Sequence, residues 1–157
     1  MLIGNLLLAL AWTALQAELT LANLLVGYVL GYLILLMLVR GGVLGESRYV
    51  GKVRMAVGLA AFFLRDLVVA NLRLARDVVS PGHRIRPGII AVPLDVTSDS
   101  EILLLTALIN LTPGSVALDV SPDRKTLYLH AMYVHSADAV RAEIKHGYER
   151  RVLLLLR

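Results

Sequence analysis

The sequence has no cysteine. Disulfide scaffolds, thiolate metal sites and cysteine nucleophiles are excluded with it. Charge is scarce: 18% of the 157 residues are Asp, Glu, Lys or Arg, against about 25% in an average soluble chain. Between Leu2 and Val39 the single charged residue is Glu18. No HExxH, no GxSxG and no phosphate-binding glycine loop occurs. The four histidines, His83, His130, His135 and His146, form no metal-ligand spacing on one element. His130 and His135 differ in parity along one expected strand and so face opposite sides. Asp95, Asp99 and Glu101 cluster, but carboxylates at a helix start complement the helix dipole without doing chemistry. These absences lead to the expectation of no enzyme, no metal, no cofactor and no catalytic residue.

What is present is apolar. Fifty-seven per cent of the residues are hydrophobic, and the mean hydropathy is +0.71. That composition belongs to a membrane protein. The charges divide the chain in three. Residues 40–86 hold nine Lys/Arg against three Asp/Glu, or +6, and residues 87–157 hold seven against eight, or −1.

Residues 1–39 read as two membrane helices, about 1–17 and 19–39, broken at Gln16-Ala17-Glu18-Leu19-Thr20. At 1.5 Å per residue they measure about 25 and 31 Å, against a hydrocarbon core of about 30 Å. A cleaved signal peptide is the rival for the first, but no Lys or Arg precedes its apolar core. The Gln16–Thr20 turn has no cation, while Arg40, Arg48, Lys52 and Arg54 follow the second helix. Positive residues stay inside. The expected topology therefore places the turn outside, and the N terminus and everything after Val39 in the cytoplasm. Gly27 and Gly31, four apart, suit close approach of a neighbouring helix. Glu18 reads as a solvated loop carboxylate.

Residues 40–83 form a basic connection containing an amphipathic helix, 52–79. On a helical wheel Lys52, Arg54, Arg65, Asp66, Arg73, Arg76 and Asp77 fall within one arc of about 160°. Val57, Ala61, Leu64, Val68, Leu72 and Val79 occupy the opposite face. This is the pattern of a helix lying in a membrane interface or against partner subunits, its cations toward anionic lipid. A third membrane span is the rival reading. The apolar stretch Met55–Leu64 is too short to cross before Arg65-Asp66 interrupts it. Nucleic acid is not an expected partner, because the basic face lacks stacking aromatics. Ser80-Pro81-Gly82 ends the helix.

Residues 84–157 read as a small cytoplasmic α+β domain of order β-α-β-β-α. Ile89–Val92 is a strand ended by Pro93. Ser98 and Glu101 form a capping box for a buried helix, Asp99 to about Leu111. Ser115–Val120 and Thr126–Val134 make a hairpin across Ser121–Arg124. Ser136 caps a last helix, 137–154, with Ala137, Val140, Ile144 and Tyr148 on one stripe. Thr112-Pro113-Gly114 turns the chain between a helix and a strand and reads as a structural motif.

Residues 87–134 closely resemble the E subunit of the Mrp (Mnh, Pha) multisubunit cation/proton antiporters. The resemblance rests on Pro87-Gly88, Val92–Asp95, Ser98-Asp99 with Glu101-Ile102, Leu111–Gly114, Asp119-Val120 and Asp123–Tyr128. Trp12 and Gly27–Gly31 resemble the family as pattern. Asn110 and Ser115 depart from it, each where threonine is usual, and the tail 153–156 is richer in leucine. The resemblance implies an accessory or assembly subunit in a bacterial cytoplasmic-membrane complex. That complex would exchange a cytoplasmic monovalent cation, Na⁺ above all, for external H⁺ in support of pH homeostasis. Its implied partners are the other subunits, including large complex-I-like ones that carry the ion paths. It also marks Thr112, Pro113 and Gly114 as sensitive positions. The alternative is a self-sufficient membrane-anchored regulatory or ligand-binding protein.

Overall fold

The computed structural model describes residues 1–45, 47–80 and 85–157. It divides into two units, Met1–Arg54 and Met55–Arg157. Pro81, Gly82 and His83, singled out above, lie outside the described residues.

The first unit holds α1 (Leu2–Leu15), α2 (Leu21–Arg40) and the first turns of α3 (Arg48–Val79). α1 is shorter than its apolar run, because Ala17 takes a left-handed φ of 54° and turns the chain. Its 14 residues measure about 21 Å. Thr20 starts α2 by accepting a hydrogen bond from the Asn23 backbone. α1 buries Asn5, Ala9 and Thr13, and α2 buries Gly27, Gly31 and Leu35. Both stripes step by four, so the two helices meet along small residues.

α3 begins at Arg48, four residues before the periodicity indicated, and runs 32 residues. Among the described residues α2 and α3 are the helices long and apolar enough to cross a membrane. α1 falls short of that length.

The second unit is built on β1 (Gly88–Pro93), α4 (Asp99–Leu111), β2 (Ser115–Val120) and β3 (Thr126–Ala131). The strands form an antiparallel sheet of order β1-β3-β2. Ile90 pairs with Leu129 and Val92 with Leu127. A bulge between Ala117 and Asp119 shifts the β2–β3 register. Ser98 and Glu101 close the capping box on α4. One sheet face buries Ile90, Val92, Leu127, Leu129 and Ala131 against Leu105, Leu108 and Ile109 of α4. Truncating Leu127 or Leu129, both fully buried, to Ala costs about 2–5 kcal/mol. The strand expected to reach Val134 stops at Ala131. Beyond it Met132 bonds to Gly114 and Val134 to Arg86. His135 therefore lies beyond the strand, and the parity comparison with His130 does not apply.

The last helical stretch has three parts: α5 (Ala137–Ala142), a π-helical turn (Glu143–Glu149) and α6 (Arg150–Leu156). Ser136 caps it. Val140, Ile144, Tyr148 and Val152 are all buried. They are spaced every four residues. In an α-helix each such step overshoots a full turn by about 40°, so the stripe would drift by about 120°. The π-helical bonds, i→i+5, hold more residues per turn and cancel that drift. Four core side chains thus stay on one line facing the sheet.

Candidate functional site

Thr112 ends α4 in an extended conformation, and its hydroxyl bonds back to the Leu108 carbonyl. Gly114 has a left-handed φ of 95°, which side-chain-bearing residues rarely adopt. A Cβ there would also sit 3.3 Å from the Tyr133 ring. The two positions that depart from the resembled pattern stitch this turn. Asn110 accepts from the Ala117 backbone at 2.7 Å, and the Ser115 hydroxyl donates to the Ile109 carbonyl at 3.2 Å.

The Thr112 hydroxyl lies 3.1 Å from the Tyr148 hydroxyl, which itself donates to the Asp66 carboxylate of α3. A phenol has one proton. Tyr148 gives it to Asp66, and the single Thr112 proton is shared between the Leu108 carbonyl and the Tyr148 oxygen. Burial, then the Asp66 bond, holds the Tyr148 phenol well above its usual pKa. The ring packs edge-on to Phe62 at 5.2 Å. A cavity of about 80 Å³ opens beside this chain, lined by Asp66, Arg73, Thr112, Gly114, Glu143 and Tyr148 among others. It has room for a few water molecules. Desolvation and then Asp66 push the Glu143 carboxyl upward. Arg73 stacks 5.5 Å over the Tyr133 ring.

These contacts define two sides of α3 between Met55 and Val79. Leu59 is in the domain core, with Phe62 and Phe63 packed on it, and Asp66 and Arg73 line the cavity. On the far side Val57, Leu64, Val68, Leu72 and Val79 are exposed, by 55–82%. Arg65 and Arg76 are exposed along the stripe's edge.

The other sequence-derived residues fall in the first unit. A Cβ on Gly31 would collide with Asn5 Oδ1, and one on Gly27 would lie 2.8 Å from Trp12 Cβ. The neighbour that approaches these glycines is α1 of the same chain. Arg40, Arg48 and Arg54 share one groove, and Lys52 is exposed outside its lining. Arg73, within the second unit, rests on Tyr133 instead.

Sequence reasoning missed Tyr148 as a polar hub and Glu149 as a buried carboxylate. Glu149 is 1% exposed. It accepts from the Asp95 and Val96 backbones and pairs with Lys145 at 2.8 Å. Burial works against the Lys145 charge, but Asp95 and Glu149 outweigh it and raise its pKa. An acid next to the apolar stripe, four residues after Lys145, was the available signal for Glu149. The three clustered carboxylates do not converge: Asp95 pairs with Lys145, Asp99 with Arg124 and Glu101 with Arg157. Among the described residues no group of three His, Cys, Asp or Glu side chains is placed to hold a metal.

A family model described as a Na⁺/H⁺ ion antiporter subunit matches residues 5–154. The chain is 36% identical to the E subunit of the Na⁺/H⁺ antiporter of Alkalihalophilus pseudofirmus, covering 95% of this chain and 93% of that protein. It is 35% identical to the corresponding antiporter subunit of Bacillus subtilis, over 94% and 92%. A chain in the structure of the Mrp complex from Dietzia sp. aligns with a TM-score of 0.51 at 30% identity, covering 66% of this chain and 96% of that one. A chain of an archaeal respiratory membrane complex, the membrane-bound sulfane sulfur reductase, aligns with a TM-score of 0.54 over 98% and 95%. At 23% identity that likeness concerns the fold alone.

Proposed function

The chain belongs to the family of Na⁺/H⁺ antiporter E subunits, and we propose from that premise how it serves such a complex. It is an accessory subunit of a multisubunit Na⁺/H⁺ antiporter. In this reading it carries no ion itself and holds its larger, complex-I-like partners in register in the cytoplasmic membrane. α1 and α2 form a membrane hairpin with the Gln16–Thr20 turn outside. Gly27 and Gly31 act as its packing seam. α1 is shorter than the apolar core, and local bilayer thinning accommodates it at modest cost. The N terminus and the α+β domain are cytoplasmic.

The observation that carries the reading is the division of α3. Its charged arc is taken up by the domain at Asp66 and Arg73, while its apolar stripe stays bare. A stripe from Val57 to Val79 edged by Arg65 and Arg76 suits an interfacial helix on anionic lipid or along partner subunits. The length and composition of α3 would also permit a span. A span, however, would set the domain contacts of Leu59, Phe62 and Asp66 at bilayer depth, where Asp66 is expensive. Thr112, Pro113 and Gly114 act structurally, by fixing the turn on which Tyr148 and α3 rest.

The test is purification of the tagged chain from its own membranes in mild detergent. Large polytopic antiporter subunits should travel with it. A chain that migrates alone, with antiport intact after its deletion, would favour the self-sufficient regulatory protein instead.

A further inference from the structure

We propose that Arg40, Arg48 and Arg54 build a discrete site for the phosphate of one anionic phospholipid. The inference deepens the membrane reading above by naming a site and its ligand on the first unit. Three arginines, from the last residue of α2 and the first two turns of α3, line one groove of about 420 Å³. Its walls include Leu36 and Val39 of α2 and Val50 of α3. Among the described residues no carboxylate lines it.

The chemistry selects the ligand. Guanidinium groups hold phosphate oxygens in pairs of parallel hydrogen bonds and stay charged at every relevant pH. Ser47 and Gly51 also line the groove, so the first-turn backbone of a 32-residue helix adds its positive end to the arginines. A free phosphate would use these groups alone. The apolar wall argues for a lipid, because Leu36 and Val39 continue along α2, where Leu33, Ile34 and Met37 are exposed. A diacyl chain laid on that surface puts its headgroup where α2 ends in Arg40. Basic pockets beside membrane helices bind anionic headgroups in this way. The other cations of α3, Lys52, Arg65, Arg73 and Arg76, lie outside the lining; of these Lys52, Arg65 and Arg76 supply diffuse attraction only.

The test is native mass spectrometry of the full chain in mild detergent, titrated with dioleoyl phosphatidylglycerol, dioleoyl phosphatidylcholine or inorganic phosphate. The first phosphatidylglycerol should bind well ahead of phosphatidylcholine. Each single change, Arg40→Gln, Arg48→Gln or Arg54→Gln, should weaken it by about fivefold, and the triple change by about a hundredfold. The double change Arg65→Gln with Arg76→Gln should leave the first lipid in place. Equal affinity for the two lipids overturns the proposal, as does an equal loss in the double control. Displacement of phosphatidylglycerol by millimolar inorganic phosphate overturns the lipid as occupant. The readout needs no antiporter partner, so it can fail while the co-purification above succeeds, and the reverse.

Discussion

The Tyr148 hydroxyl donates to the Asp66 carboxylate, which ties the π-helical turn to the middle of α3. The same hydroxyl lies 3.1 Å from the Thr112 hydroxyl. One phenol therefore connects the helix with the bare apolar stripe to the turn with the sensitive motif. Tyr148→Phe keeps the ring against Phe62 and removes both bonds. The expected loss is about 1–3 kcal/mol, since one partner is charged, read as a lower thermal midpoint of the full chain. Asp66→Asn should cost less once Tyr148 is gone than before. Strictly additive losses would show that the two residues do not act together.

At Gly114 backbone and space forbid a side chain together. Its φ is 95°, and a Cβ would press the Tyr133 ring at 3.3 Å. Gly114→Ala should destabilise by at least about 1 kcal/mol. Pro113→Gly loosens the same turn by freeing the unfolded chain. In both variants assembled complex and antiport rate should fall in proportion, measured by blotting and vesicle assay on the same membranes. A rate that falls while complex stays constant would give the motif a direct part in transport.

The glycines of the first unit differ in what surrounds them. A Cβ on Gly27 would meet Trp12 Cβ at 2.8 Å and the Ala9 carbonyl at 2.9 Å, whereas nothing lies within 4 Å of one on Gly4. Gly27→Ala should part α1 from α2 and lower the melting temperature. Gly4→Ala should be neutral or stabilise by up to about 1 kcal/mol, because alanine is the better helix former. Equal effects from the two would mean that α1 does not pack on this seam.

Much of this fold is legible in the sequence, and the exceptions have physical causes. The Ser98–Glu101 box, the Ser121–Arg124 turn and the Pro-Gly break are local, so short motifs specify them. The four-residue spacing of Val140, Ile144 and Tyr148 was visible, yet the π-helical turn follows only once Val152 must face the same core. Arg73 reads on a wheel as one cation among several. Its withdrawal onto Tyr133 depends on a residue far along the chain. Tyr148 as a hub was illegible for the same reason, because its partners Asp66 and Thr112 come from separate elements.

Acid should loosen the second unit through Glu101. The Arg157 guanidinium, then the Thr97 and Ser98 amides, bring its carboxyl down to about 2. A depressed carboxyl adds stability above the unfolded-state pKa, about 4.3, and loses it as pH falls toward the folded value. Thermal midpoints should therefore fall between about pH 4.5 and 2. Glu101→Gln should be less stable at pH 7 and flatter through that window. A wild-type slope that survives in Glu101→Gln would assign the acid sensitivity to another group.

Glu18 is the decisive residue for the accessory role. Ion paths need ionisable or polar groups at bilayer depth, because a bare charge there costs at least several kcal/mol. Between Leu2 and Val39 the strongly polar side chains other than Asn5 are Gln16, Glu18 and Asn23. Asn5 is wholly buried, its amide donating to the Tyr49 hydroxyl. Asn23 bonds to the Glu18 backbone carbonyl at 3.1 Å, so its side chain braces the turn between the helices. The Glu18 side chain itself is exposed. Glu18→Gln should leave the apparent Na⁺ affinity of membrane vesicles unchanged, with normal amounts of complex. A several-fold weaker Na⁺ response at normal complex levels would put this carboxylate on the ion path, and the chain would then be a transporting subunit.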